Sequence, residues 1–337
     1  MSQQATPTES RAVANAGLHL RPFDPAIDYE PIAELISTTN ASDDLDWFMT
    51  VPALRLEVGP GGMFDPERDA RVAEVDGERV GFIRVSSRAR GPEKVVHRMD
   101  AWTRPEWRRR GIGRALVRWA EERSRALQAA GAVGEPGAIH EMSGGTDENN
   151  AGSAAFAEAI GYRAIRYSFE MRRRLDEPIP DAPLPEGLEL RPVRDEDTRR
   201  IFDANGEAFQ DHWEPAVRTD DDFRHWMEDP DTDTTLWQVA WDGDEVAGVS
   251  INTVYAEENE RLGIKVGWLD QVSVRRPWRR KGLGAAVIAE SLRVLRDRGL
   301  DEASLGVDAE NPTGALALYE RLGFTRHRAF RIYRKRL

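Results

Sequence analysis

Trp278-Arg279-Arg280-Lys281-Gly282-Leu283-Gly284 decides how this chain reads, because Trp107-Arg108-Arg109-Arg110-Gly111-Ile112-Gly113 matches it in the first half. Each copy follows an extended, partly apolar run and opens a helical one, Ala285 to Leu295 in the second half and Arg114 to Arg125 in the first. A strand, a tight basic loop with two glycines and a helix N-terminus make a cradle for an anion. The first N–H groups of a helix have no partner within it, and the helix dipole adds positive potential there. The pattern predicts two copies of one domain, each holding something phosphorylated.

The repeat extends outward from the loop. Gly17-Leu18-His19-Leu20-Arg21-Pro22 opens the first half and Gly187-Leu188-Glu189-Leu190-Arg191-Pro192 the second. Near the end of each half an asparagine leads a small-residue helix that closes on Gly161-Tyr162 or Gly323-Phe324. Asn149 and Asn311 each stand twelve residues before that glycine. A repeat this long is a whole domain. The expected organisation is a polar, disordered tail over 1–16, a domain over 17–174, a Pro-rich linker over 175–186 and a second domain over 187–337. A length of 337 residues suits two domains.

Composition narrows the chemistry. With no cysteine, disulfides, thiolate metal sites and thiol intermediates are excluded, and no metal is expected. A net charge of −12 argues against general nucleic-acid binding, which needs surplus positive charge. No apolar run is long enough to span a bilayer. The expectation is a cytoplasmic monomer or homodimer without nucleic-acid or membrane partners. Against the acidic background the run Arg275 to Lys281 stands out, and its glycines and strand–helix context favour a binding loop over a solvated one.

In the second half the pattern predicts a strand over 187–193, a helix from about Asp195 to Phe209 and a helix from an N-cap at Thr219. A hairpin follows around Asp242-Gly243-Asp244, then a strand over 267–274, the loop and its helix, a strand over 304–307, a helix over 311–322 and a strand over 326–334. The first half follows the same order, with a hairpin around Asp76-Gly77-Glu78. The fold class is α/β with a mixed sheet.

These residues resemble the GNAT superfamily of N-acetyltransferases, in its tandem two-domain form. The Arg-x-x-Gly-x-Gly hallmark is matched at Arg279, Gly282 and Gly284 and again at Arg108, Gly111 and Gly113. The Asn-led helix ending Tyr-x-x-x-Gly-Phe is matched at Asn311, Tyr319, Gly323 and Phe324. The resemblance implies acetyl-CoA as cosubstrate. Main-chain N–H groups of Arg279, Arg280, Lys281, Gly282, Leu283, Gly284 and Ala285 would receive its pyrophosphate, with Asn311 nearby, and the main chain of Val272 and Val274 its pantetheine. A weaker second cradle is expected at Arg108, Arg109, Arg110, Gly111, Ile112 and Gly113. The acceptor implied is a small-molecule primary amine, polar or cationic: a mycothiol precursor, aminosugar or aminoglycoside. Acetylation of a protein N-terminus, or a CoA-binding pseudoenzyme, are the alternatives.

A phenol can protonate the departing thiolate, and the resemblance gives that role to Tyr319, against the bland reading of a core aromatic. Asp270, with the parity of Val272 and Val274, is open between base, acceptor anchor and structural carboxylate. Ala208 to Glu214 lies where the family builds its acceptor wall, and His212 there is expected to pack or cap. In the first half Ala157 stands opposite Tyr319. Met99 stands opposite Asp270, or Asp100 does if one residue is gapped. That half is expected to keep its loop but turn over poorly, as scaffold and acceptor wall, with His140 and Glu141 as possible substitute groups.

Overall fold

The computed structural model describes residues 17–45, 47–59, 64–215, 217–311 and 314–337; the tail expected over 1–16 lies outside them. Two compact units are formed, one from residues up to 145 with 150–164 and 333–337, the other from 146–149 and 165–332.

The first unit contains β1 (Leu18–Pro22), α1 (Tyr29–Ser42), α2 (Val51–Val58), α3 (Pro66–Asp69), β2 (Ala70–Val75), β3 (Glu78–Ala89), β4 (Lys94–Thr103), α4 (Ile112–Ala129), β5 (Ile139–Asp147) and α5 (Ala151–Ala159). Its strands neighbour one another in chain order. Asp76 and Gly77 turn β2 into β3 with positive φ, 50° and 82°, which the twist of a tight hairpin favours and Asp-Gly supplies readily. All these pairings are antiparallel except β4 with β5, which run parallel over Lys94–Arg98 and Ile139–Ser143. One core layer packs α4 on the sheet through Ile83, Val85, Ile112, Leu116 and Met142. A second packs α1 through Ile32, Leu35, Ile36 and Phe82.

The second unit contains β6 (Arg163–Arg174), β7 (Glu189–Leu190), α6 (Thr198–Ala208), α7 (Asp220–Glu228), β8 (Gln238–Asp242), β9 (Glu245–Thr253), α8 (Ala256–Leu262), β10 (Val266–Val274), α9 (Leu283–Asp297), β11 (Glu302–Asp308), α10 (Ala315–Arg321) and β12 (Thr325–Arg336). Its strand order is β12-β6-β11-β10-β9-β8-β7. The Thr219 cap forms a full capping box with Asp222, which is why α7 begins there. The strand expected over 187–193 shortens to Glu189–Leu190, since only these residues pair with β8.

Sequence repeats and packing units do not share all their boundaries. β6, which closes the first repeat, pairs antiparallel with β11 of the second along Ser168–Arg174 and Glu302–Asp308. Residues 333–337, which close the second repeat, belong to the first unit: Tyr333 lies in its core and Leu337 N–H donates to His140 O at 3.1 Å. The Pro-rich segment 175–186 carries neither helix nor strand. It is nonetheless held: Leu175 N–H donates to Asp301 O at 2.9 Å, and Arg173 Nη2 donates to Pro178 O at 2.7 Å.

Candidate active site

The two basic loops have nearly identical backbones. Arg109 and Arg280 both have φ 64°, and Gly111 and Gly282 have φ 88° and 90°, a left-handed region that strains any residue with a Cβ. Gly282 is the N-cap of α9 and offers no side chain to cap it. The first bond within α9 runs from Ala286 N–H to Gly282 O at 3.1 Å, so the N–H groups of Leu283, Gly284 and Ala285 point into the loop. Arg280 and Lys281 are exposed. A Cβ on Gly284 would meet Leu318 of α10 at 3.3 Å, and one on Gly113 would meet Phe156 of α5 at 3.6 Å. Close helix packing is therefore one reason for that glycine.

The leading arginine of each loop is tied to protein. Arg279 Nε donates to Val274 O at 2.8 Å and its Nη2 to Ala208 O at 3.1 Å, and its guanidinium pairs with Asp211. In the first unit Arg108 Nε donates to Thr103 O at 3.3 Å and its fork grips Asp43 at 2.6 and 2.9 Å. These side chains fix the turn.

Beside the second loop the sheet opens. β10 pairs with β11 only over Val266–Leu269, while its pairing with β9 continues to Val274. Arg275 N–H donates to Ala247 O. By antiparallel alternation, residues 271 and 273 then bond to β9, and the main-chain groups of Val272 and Val274 face the edge that β11 has left.

Tyr319 stands on one face of this gap. It is buried on α10 with Leu269, Leu305, Val307 and Phe324, and Val272 packs against the same cluster. Among the described residues its hydroxyl takes no hydrogen bond, and burial pushes its pKa up to about 12.

Asp270 stands on the other face, so the parity expected from the sequence does not hold. The β9 register slips between Leu269 and Gln271, making Asp270 the extra residue of a bulge, and a bulge breaks strand alternation. Val272 and Val274 pack toward Leu283 and Val287. Asp270 instead meets Thr253 and accepts a hydrogen bond from Tyr255 Oη at 3.2 Å. It opens to solvent on one side and protein crowds the rest. That desolvation raises its pKa, the bonds from Thr253 and Tyr255 oppose the rise, and the charges of Asp229 and Asp231 add to it. Asp231 is raised as well, by burial, Asp229 and Glu257.

In the loop after α6, Asp211 is gripped by Arg276 and Arg279, whose hydrogen bonds hold its carboxyl far below the usual range; it is not a base. His212 packs at a tilt on Phe209 with centroids 4.3 Å apart, as the packing expectation had it, and burial lowers its pKa. Trp213 lies under the Arg166 guanidinium at 4.7 Å.

The first unit lacks this arrangement. Its β3–β4 ladder runs without a slip, with Met99 opposite Val85 and Asp100 opposite Arg84. Asp100 pairs with Arg84 at 3.1 Å; neither it nor Met99 is a counterpart of the bulged Asp270. His140 Nδ1 is 2.9 Å from His97 Nε2, and Ser87 Oγ is 2.7 Å from His97 Nδ1. Glu141 is paired with Lys94 and Arg334. The suggested substitute acid–base groups are thus engaged in the protein's own contacts.

Sequence reasoning missed Tyr255, Asp229 and Asp231. A signal existed in the spacing: Gly243 to Trp278 spans 35 residues where Gly77 to Trp107 spans 30. The added length holds α8 and the bulge.

Among the described residues no group of His, Cys, Asp and Glu could hold a metal ion, and no helix is long and apolar enough to cross a membrane.

Residues 198–324 match the model of the Acetyltransferase (GNAT) family and residues 66–164 that of an Acetyltransferase (GNAT) domain. A mycothiol acetyltransferase of Salinispora arenicola is 33% identical over 324 residues, covering 92% of this chain and 94% of the relative. The crystal structure of a GCN5-related N-acetyltransferase from Sphaerobacter thermophilus aligns with TM-score 0.71 and 28% identity over 95% of both chains. A tandem GNAT protein from the clavulanic acid biosynthesis pathway shares the fold, with TM-score 0.66 and 19% identity over 95% of this chain and 98% of that one.

Proposed function

This chain belongs to the GNAT family of acetyltransferases, with two of its domains in tandem, and on that premise we propose that the second domain acetylates a small cationic amine from acetyl-CoA. The family membership makes the chain an acyltransferase that draws on acyl-CoA. The acetyl group, the acceptor and the residue roles are our reading. The acceptor class is a mycothiol precursor, aminosugar or aminoglycoside, and the Salinispora relative's name puts the mycothiol precursor first.

One observation carries the acceptor: Asp270, beside the strand gap, has Asp229 and Asp231 near enough for their charges to raise its proton affinity. Carboxylates gathered there favour a cation, and an amine arrives as one. Asp270, its proton affinity raised, takes a proton from the ammonium. The freed lone pair attacks the thioester carbonyl carbon, and the carbonyl electrons move onto oxygen. N–H groups on the open edge of β10 stabilise that oxyanion. The intermediate collapses, the C–S bond breaks, the thiolate takes a proton from Tyr319 on the opposite face, directly or through water, and the extra proton still on the nitrogen leaves through water to restore the phenol. An amide and free CoA result. The pyrophosphate rests on the N–H groups of Leu283 to Ala285, beside Arg280 and Lys281. The first domain keeps a similar cradle for CoA and lacks the groups for turnover.

The test is CoA release from acetyl-CoA over cysteinyl glycosides, aminosugars, aminoglycosides, polyamines and peptides. Cationic glycosides should turn over fastest. A preference for peptide N-termini, or binding of acetyl-CoA without transfer to any amine, overturns the reading.

A further inference from the structure

The second repeat departs from the first in two places near the strand gap, and the two departures touch. Between β3 and β4 the chain makes only a short turn, residues 90–93. Between β9 and β10 it inserts α8. The second departure is the extra strand residue, Asp270. Tyr255, the N-cap of α8, donates its hydroxyl to Asp270 Oδ2 at 3.2 Å.

Tyr255 is well held. α8 ends at Gly263, with φ 66°. The Asn259 side chain ties the helix to the start of β10, donating to Val266 O at 2.9 Å and accepting from Val266 N–H at 3.3 Å. The Tyr255 ring meets Trp268 edge-on, centroids 6.5 Å apart. A carboxylate on a bulge, open to solvent, has no neighbouring ladder to set its rotamer. A phenol anchored at both ends supplies that constraint, together with Thr253.

We propose that Tyr255 is a positioning residue for Asp270, holding its carboxyl toward the acceptor amine through an inserted helix that the first domain lacks. This rests on the proposed role of Asp270. The groups facing that carboxyl are Thr253 and Tyr255 from β9 and its extension, and Asp229 and Asp231 from the turn after α7. A donated O–H favours the ionised carboxylate and the two aspartates disfavour it. Loss of the hydroxyl therefore moves the ionisation to higher pH.

The experiment compares the full chain with Tyr255→Phe and Asp270→Asn. It follows CoA release with glucosamine as acceptor across pH, with melting curves as a control for folding. In Tyr255→Phe the acid limb of kcat/KM should move to higher pH and the glucosamine KM should rise about tenfold, the scale of one hydrogen bond to a charged group. The acetyl-CoA KM should stay put. In parallel, 13C NMR of Asp-labelled protein, with Asp270 assigned through Asp270→Asn, should show its titration moving up in Tyr255→Phe. That readout does not depend on how well glucosamine serves. If Asp270→Asn alters the profile while Tyr255→Phe changes neither profile nor titration, Tyr255 is only structural and the proposal falls alone. If Asp270→Asn also leaves rate, KM and profile unchanged, the role of Asp270 falls and the positioning role with it.

Discussion

In the two basic loops Arg109 and Arg280 share φ 64° and Gly111 and Gly282 differ by two degrees, whereas the strands that feed those loops have diverged. The first unit's β3–β4 ladder is unbroken from Gly81↔Thr103 to Ala89↔Val95; the second's is interrupted at Asp270. Each loop arginine is clamped by an aspartate, Asp43 or Asp211. The residues proposed to move protons, Tyr319 and Asp270, have no counterparts in the first unit. A cradle made of backbone depends on φ values and a helix end, which many sequences satisfy. Proton transfer depends on particular side chains at particular positions, and in the first repeat Ala157 stands where the second has Tyr319.

The largest expected contrast is in turnover. Tyr319→Phe keeps the ring and removes the proton, and should lower kcat roughly 10²–10³-fold, in the range for a lost general acid. An unchanged kcat, with chemistry rate-limiting, would demote Tyr319 to core packing.

The next contrast is in acid. His97 is fully buried, and burial, with the neighbouring His140, pushes its pKa down from 6.5 to about 4. The unfolded side chain therefore holds more protons between those values. The stability from keeping His97 neutral is complete above pH 6.5 and is lost as pH falls toward 4, by about 2–3 kcal/mol. In the second unit a buried network joins Ser250, Asn252 and Ser291, and none of these titrates. Hydrogen exchange between pH 6.5 and 4 should loosen β4 and β5 before β9 and β10. The opposite order would remove His97 as the cause.

A smaller effect separates the loops themselves. Gly111→Ala and Gly282→Ala each force a Cβ into a left-handed position and should each cost about 1–2 kcal/mol of stability. Only Gly282→Ala should also raise the KM for acetyl-CoA, by about tenfold. Matched melting curves with matched kinetics would show that the catalytic cosubstrate does not use the second loop. The smallest effect should be that of Ala157→Tyr, which restores a phenol to the first unit without a bulged carboxylate. Any gain in turnover would contradict the one-sided assignment.

Much of this was legible in local sequence. The loops, the Asp-Gly hairpin, the cap at Thr219 and the asparagine-led helices are set by neighbours a few residues apart, through dihedral preferences and caps. The spacing showed added length, but the place of the bulge was not legible. One added residue in a strand only shifts an alternating pattern, and Asp270 read equally well with the parity of Val272. The Arg279–Asp211 and Tyr255–Asp270 contacts join residues 68 and 15 positions apart, and only the folded register brings them together. The destination of β6 and of residues 333–337 was hidden for the same reason: strand pairing is non-local, and both segments suit an edge in either unit.

That exchange of closing segments has a consequence for synthesis. A ribosome that has emitted the first repeat has delivered α4 and its facing strands, but not Tyr333, which fills their core, or Lys335, whose ammonium meets Glu121 at 2.8 Å. The unit encoded first therefore waits, with part of its interior uncovered, for residues encoded last. Cutting the gene within 175–186 would deprive each product of the segment it borrows.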